Sequence, residues 1–180
     1  MTLVTDKIFL KLADFDDYKD LSTNFDLKNY KMAVREAQVV ELTDFLGREL
    51  YLIMQDDYDA TDDTFGTAKY STLWFGEDYD SQGKTVRFHG LQPAVALYAW
   101  ARMLNSAQLK LTRSGAVTFG DEDVSEAAAQ AQIKTKVIEA RSMAVRYMEE
   151  AKTYLSDNKS DYTEWNNNGS ENNSIFLEKL

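Results

Sequence analysis

Apolar residues occupy every side of the stretch Gly90-Leu91-Gln92-Pro93-Ala94-Val95-Ala96-Leu97-Tyr98-Ala99-Trp100-Ala101-Arg102-Met103-Leu104, and from Pro93 to Leu104 the only charge is Arg102. A helix that is apolar all round is either surrounded by other elements or spans a membrane. A span takes about 20 apolar residues, more than this run supplies. The pattern therefore predicts a central helix wrapped by others, with Pro93 in the first turn, where no backbone N–H is needed.

Upstream, Tyr30, Ala33, Val34, Ala37 and Val40 recur at spacings of three and four, which marks one face of a helix. From Leu42 onward the face rotates, because Leu42, Phe45, Leu46, Leu50 and Ile53 lie elsewhere on the wheel. The expected helix covers residues 27–54 and either breaks near Gly47 or contacts different neighbours with its two halves. Residues 50–54 are apolar on every side and are expected to pack deeply. Residues 55–89 read as a long connection punctuated by Gly66, Gly76 and Gly83, with a short helix at 70–75 pinning it to the core. Connections of this length in compact domains are usually functional or ordered by partners.

Downstream, apolar residues alternate on either side of Ser114-Gly115, which predicts a β-hairpin at 109–120 with a tight turn there. A last helix is expected from Asp123, with Glu126 completing a capping box. Ile133, Val137, Ala140, Ala144, Tyr147, Ala151 and Tyr154 then follow at alternating spacings of four and three, a coiled-coil type of seam. Ile138, Val145, Met148 and Leu155 widen it, which favours packing inside a bundle. Beyond Ser156 come six asparagines, the isolated Trp165, and then Ile175-Phe176-Leu177 and Leu180: a polar tether ending in an apolar plug. The expected fold class is mainly α, a helical bundle of three main helices with one β-hairpin and extended terminal arms. Residues 1–26 form an N-terminal arm, 27–158 the helical domain and 159–180 an extended tail.

Composition removes most catalytic chemistry. The chain of 180 residues has no cysteine, a single histidine (His89) and a single proline. Thiolate sites, disulfides and paired-histidine metal sites are excluded. The net charge is −10, and the first 90 residues carry 18 acidic against 10 basic side chains. Such a surface repels phosphate backbones, and no basic run longer than two residues exists to read nucleic acid. The N-terminus lacks a basic start followed by a long apolar run, so no signal peptide is expected and the chain reads as one made in a cytoplasm.

The densest acidic cluster is Asp56-Asp57-Tyr58-Asp59-Ala60-Thr61-Asp62-Asp63. Read as a calcium loop from Asp57, it places Asp62 where glycine belongs and Ala68 where glutamate belongs, so the match fails and a solvated acidic loop is expected. Glu77, Asp78 and Asp80 read the same way. His89 has no nucleophile elbow to accompany it and reads as a structural or interface histidine. Neither a Walker pattern nor a Gly-x-Gly-x-x-Gly loop is present. Trp74 and Trp100 read first as core and Trp165 as a tail contact. No enzyme, cofactor or metal is expected.

The order of motifs carries a resemblance. An Ala37-Gln38-x-x-x-Leu42 helix runs into Leu46-Gly47-Arg48-Glu49-Leu50-Tyr51, and Leu73-Trp74-Phe75-Gly76-Glu77-Asp78-Tyr79 follows. Gly90-Leu91, the helix Leu97-Tyr98-Ala99-Trp100-Ala101-Arg102, Ser114-Gly115-Ala116-Val117 and a long final helix ending at Leu155 complete the set. Together they span about residues 28–158, and the chain resembles head–tail connector (adaptor) proteins of tailed phages, most closely those of phages and prophages of Bacteroides, including crAss-like phages. The arm before this span and the tail after Asn158 match nothing in it.

The resemblance implies a structural virion protein: a helical subunit of a neck ring, usually twelvefold, docked beneath the portal. Such a ring extends the DNA channel and offers the tail its attachment surface, with no catalytic residue to carry over and no membrane involved. Its partners would be further copies of the chain, the portal protein and adjacent neck or tail rings, assembled in the host cytoplasm. An acidic ring suits a channel, since it lets DNA pass without specific binding. The expected ring contacts are Trp74, Phe75 and Tyr79 in the 55–89 connection and Arg113, Val117 and Phe119 in the hairpin. The expected tail-docking residues are Trp165, Ile175, Phe176, Leu177 and Leu180. Asp56, Asp57, Asp59, Asp62 and Asp63 are expected to be exposed or to line the channel. Two other classes stay open: a free-standing cytoplasmic interaction module, and an enzyme with a carboxylate-held metal.

Overall fold

The computed structural model describes residues 6–18, 27–107, 109–112, 115–118 and 126–165. The element that organises it is α6 (Gln92–Ala107). Leu91, Ala94, Val95, Ala96, Leu97, Ala99 and Ala101 are all buried. Alanine dominates these positions, so neighbouring backbones approach closely. On one side lies α2 (Leu27–Ala37), which buries Tyr30, Ala33, Val34 and Ala37. On the other lies α7 (Glu126–Asp157), which buries Val137, Ala140, Ala144, Met148, Ala151, Tyr154 and Leu155. The fold is mainly α, as expected, and the seam on α7 is spent inside the chain. Its proposed cap, Asp123, lies outside the described residues.

The rotation of the apolar face after Val40 has a definite cause. Gln38–Leu42 form a π-helical turn, which carries one residue more than an α-turn and so swings every later side chain around the axis. α3 (Thr43–Leu46) continues from it, and the break expected near Gly47 is present: Gly47 adopts φ +79° and α4 (Arg48–Asp57) starts afresh. α4 is less enclosed than expected, for Leu50, Tyr51 and Met54 are buried while Leu52 is 45% exposed.

The long connection is more ordered than its sequence implies. β1 (Tyr58–Asp59) and β2 (Thr64–Phe65) pair antiparallel, and α5 (Ala68–Phe75) contains the expected short helix. β3 (Glu77–Ser81) and β4 (Lys84–Phe88) form a second hairpin around Gln82 and Gly83, both at positive φ, the backbone shape that two-residue hairpin turns favour. Its base is pinned by a chain crossing. Leu91 N–H bonds Leu73 O at 3.0 Å, and Gly76 and Gly90 lie back to back. A Cβ on Gly76 would sit 2.2 Å from Phe88 O, and one on Gly90 2.3 Å from Trp74 O. The hairpin expected at 109–120 is present as β5 (Leu109–Thr112) and β6 (Gly115–Thr118). Thr112 pairs with Gly115, so Gly115 belongs to the strand, and Arg113 and Ser114 lie outside the described residues.

Both terminal arms need correction. Residues 6–18 are part of the domain: Phe9, Leu10 and Phe15 (in α1, Leu12–Asp16) are buried. Phe9 packs among Tyr58, Phe65 and Trp74 at centroid distances of 4.8, 5.2 and 5.4 Å. This segment joins no sheet, and two buried glutamines serve its backbone instead. Lys7 N–H donates to Gln55 Oε1 (2.7 Å) and Phe9 N–H to Gln38 Oε1 (2.8 Å). Lys7 O accepts from Gln38 Nε2 (2.7 Å) and Gln55 Nε2 (3.0 Å). At the other end the packed domain runs past 158, because Tyr162 and Trp165 are buried in the same core. A cut at residue 159 would therefore remove core side chains.

Two substitutions test these constraints. Gly76→Ala should destabilise the fold by about 3 kcal/mol, from left-handed backbone strain plus overpacking, read as a lowered urea midpoint. Gln38→Leu leaves the Phe9 N–H buried without a partner and should cost about 2 kcal/mol, with amide exchange at Lys7–Phe9 accelerating more than at α6. Uniform protection across both segments would contradict the clamp.

Candidate functional site

Among the described residues no three metal-capable side chains gather closely enough to hold an ion, and no helix is long and apolar enough to cross a membrane. The outward features are the β3–β4 hairpin, the 56–63 loop and the exposed side of α2.

The hairpin leans one face on the end of α7. Phe88 stacks on Tyr154 with centroids 4.2 Å apart, and Tyr79 meets the same ring edge-on at 5.0 Å. Tyr154 O–H donates to Glu77 Oε1 at 2.8 Å. Tyr79 O–H and Ser81 O–H both donate to Asp157 Oδ2, at 3.3 and 2.7 Å. Just beyond β4, His89 N–H donates to Glu150 Oε1 at 2.5 Å and its ring Nδ1 lies 2.9 Å from the same oxygen. His89 is thus a fastening between hairpin and helix. On the opposite face Arg87 reaches both oxygens of Asp78 at 3.0 Å, an exposed pair of small worth.

The acidic loop is a built knob. Asp57 accepts from Thr67 N–H (2.9 Å) and Thr67 O–H (2.6 Å) ahead of α5. Asp59 accepts the Thr61 N–H at 2.7 Å, and that bond holds its carboxyl below the usual range. Asp63, at φ +56°, accepts from Tyr58 O–H (3.0 Å) and pairs with Lys11 (2.7 Å), which lowers its carboxyl as well. Asp56, Asp59 and Asp62 stay exposed, and Asp57 and Asp63 are half-buried.

Of the expected ring contacts, Phe75 is 48% exposed at the end of α5 and Tyr79 is half-buried against α7. Trp74 is corrected: it is wholly enclosed in the core and reaches no surface. Trp165 is also corrected. It packs in its own chain's core, and its indole N–H donates to Phe45 O at 3.4 Å. Val117 lies in β6, paired through the backbone with Lys110. Arg113, Phe119, Ile175, Phe176, Leu177 and Leu180 lie outside the described residues.

Sequence reasoning missed the ion cluster on α6. Arg102 lies 2.7 Å from Glu41 Oε1 in the π-turn and 3.4 Å from Glu36 Oε2. Burial raises the Glu41 carboxyl above its ordinary value against the opposing pull of Arg102. A lone arginine in an apolar helix was the available signal, since such a charge needs a partner once the helix is enclosed.

A family described as being of unknown function matches residues 42–175 of the chain. No curated protein and no solved structure matches it.

Burial pushes the phenols of Tyr18, Tyr98 and Tyr162 up to about 12. The folded chain therefore holds protons that the unfolded chain releases at its ordinary value of 10.0. Stability from these groups is complete below that value and is lost as pH rises from about 10 towards 12. The urea midpoint should fall across this window, and Tyr162→Phe should flatten the fall. A midpoint independent of pH there would contradict the burial of these phenols.

Proposed function

The chain belongs to that family, DUF6712, and we propose that it is a structural virion protein, a neck-ring subunit that joins the portal to the tail of a tailed phage. What supports the reading first is the ordered set of motifs that resembles head–tail connectors. The single structural observation that favours it is the β3–β4 hairpin. Each of its five-residue strands has an outer edge with no further strand beside it among the described residues. Exposed strand edges are templates for pairing with another chain. The β5–β6 pair between α6 and α7 is also two-stranded, and such pairs are marginal in water without a body to lean on.

Charge fits the same role. A ring of chains each carrying −10 surrounds its bore with a field that repels DNA, so the duplex slides through without adhering. The portal and the adjoining neck or tail rings are the partners in this reading. No reaction, cofactor or metal is part of it.

Native mass measured with and without co-expressed portal tests the proposal. A closed assembly of about twelve chains, alone or only with portal, is the expected result. A monomer indifferent to portal would overturn it in favour of a free-standing interaction module. Removing residues 166–180 should leave the unfolding free energy within about 0.5 kcal/mol of the full chain while lowering the yield of assembled rings. Assembly unchanged by that truncation would remove the tail from the proposed contacts.

A further inference from the structure

α2 carries an open groove whose floor is Ile8, Leu27 and Met32 and whose rim is Lys28, Lys31 and Arg35. Leu27 and Met32 are 47% and 51% exposed, so two large apolar side chains stand in water on a basic background. Lys31 and Arg35, one helical turn apart, are exposed and form no ion pair among the described residues. The occupant this groove suits is acidic with an apolar anchor.

The same chain supplies one. The 56–63 loop holds five aspartates and no base. Leu52 precedes Asp56 by one turn on the same face of α4 and is 45% exposed. The knob is also pre-set. The Tyr58 ring beneath it packs on Phe9 and Phe65 at 4.8 and 5.1 Å, and the Asp59–Thr61 turn and the Tyr58–Asp63 bond fix its tip. A rigid knob loses little freedom when it docks.

We infer that the Asp56–Asp63 knob of one copy, with Leu52, seats in the α2 groove of a second copy. Asp56, Asp59 and Asp62 face Lys31 and Arg35 there, and Leu52 covers Leu27 and Met32. Knob and groove are different surfaces, so the contact is heterologous and generates a ring where the rotation closes. This deepens the ring reading above and rests on it. It assigns the 56–63 aspartates to the subunit contact and leaves the bore to other acids.

The absence of cysteine makes a clean test possible. Met32→Cys and Ala60→Cys chains, made separately and mixed under mild oxidation, can join positions 32 and 60 only between copies. The expected result is a disulfide-linked dimer containing one of each chain, formed at least tenfold faster than either self-linked dimer and slowed in 1 M salt, where the screening length is about 3 Å. In parallel, Asp56→Lys/Asp59→Lys/Asp62→Lys and Lys31→Glu/Arg35→Glu should each weaken assembly at least tenfold, and both sets in one chain should restore it. A ring of native mass without the 32–60 link, and indifferent to the charge reversals, would overturn this contact and leave the ring reading standing. A monomer with or without portal and without the link would overturn both. Preferential linking of Met32→Cys to Phe176→Cys would assign the groove to the chain's own tail and overturn the knob.

Discussion

A helix with no polar face has to be surrounded, and α6 imposes that requirement on the rest of the chain. Its alanines let α2 and α7 approach from two sides, and the aromatic cluster around Phe9 and Trp74 belongs to the same buried core. Beside the long α7, much of the remaining closure falls to short elements. Short pieces do the work: a five-residue helix, two-residue strands, and an extended segment with no strand partner. Each brings backbone polar groups into or beside the core, where unpaired they would be costly.

The chain answers that demand with side chains. Gln38 and Gln55 take the place of a neighbouring strand for Lys7 and Phe9, and Tyr51 O–H lies 3.4 and 3.0 Å from their amide nitrogens. Fixing residues 7–9 seals one side of the aromatic cluster and so holds Tyr58, on which the acidic loop rides. The hairpin is held from α7, through Tyr154, Asp157 and Glu150. The outward features are therefore rigid because the core is.

Long periodic segments were legible in the sequence. The enclosure of α6, the stripe on α7 and the break at Gly47 all follow from spacing and glycine alone. The short elements were not. β3 and β4 are mostly charged or polar and cover only one face, so alternation is weak, and the positive-φ pair Gln82-Gly83 lacks the usual asparagine or aspartate. The terminal segments misled for a physical reason. Phe15, Tyr162 and Trp165 sit in polar surroundings and Phe9 lies in a run of only three apolar residues, Ile8-Phe9-Leu10, so nothing local reveals that distant partners bury them. The acidic loop was legible as charge but not as a knob, because Tyr58 and Phe65 meet only once the strands pair. The groove on α2 was hidden because Leu27 and Met32 lie off the buried stripe, and their exposure is a property of the fold.

The π-turn at Gln38–Leu42 has a consequence for how such a molecule changes over generations. One residue separates a π-turn from an α-turn, and that residue turns everything after it by about 100° about the helix axis. α2 and its groove come before this point, while α3, α4 and the acidic loop come after it. Deleting a single codon here would turn the helix that follows by that angle and carry Leu42, Phe45 and Leu46 away from the partners that bury them. The π-turn is therefore locked by the core it feeds, and an indel at this address is tolerated only where the residues packed around Leu42 and Leu46 change with it.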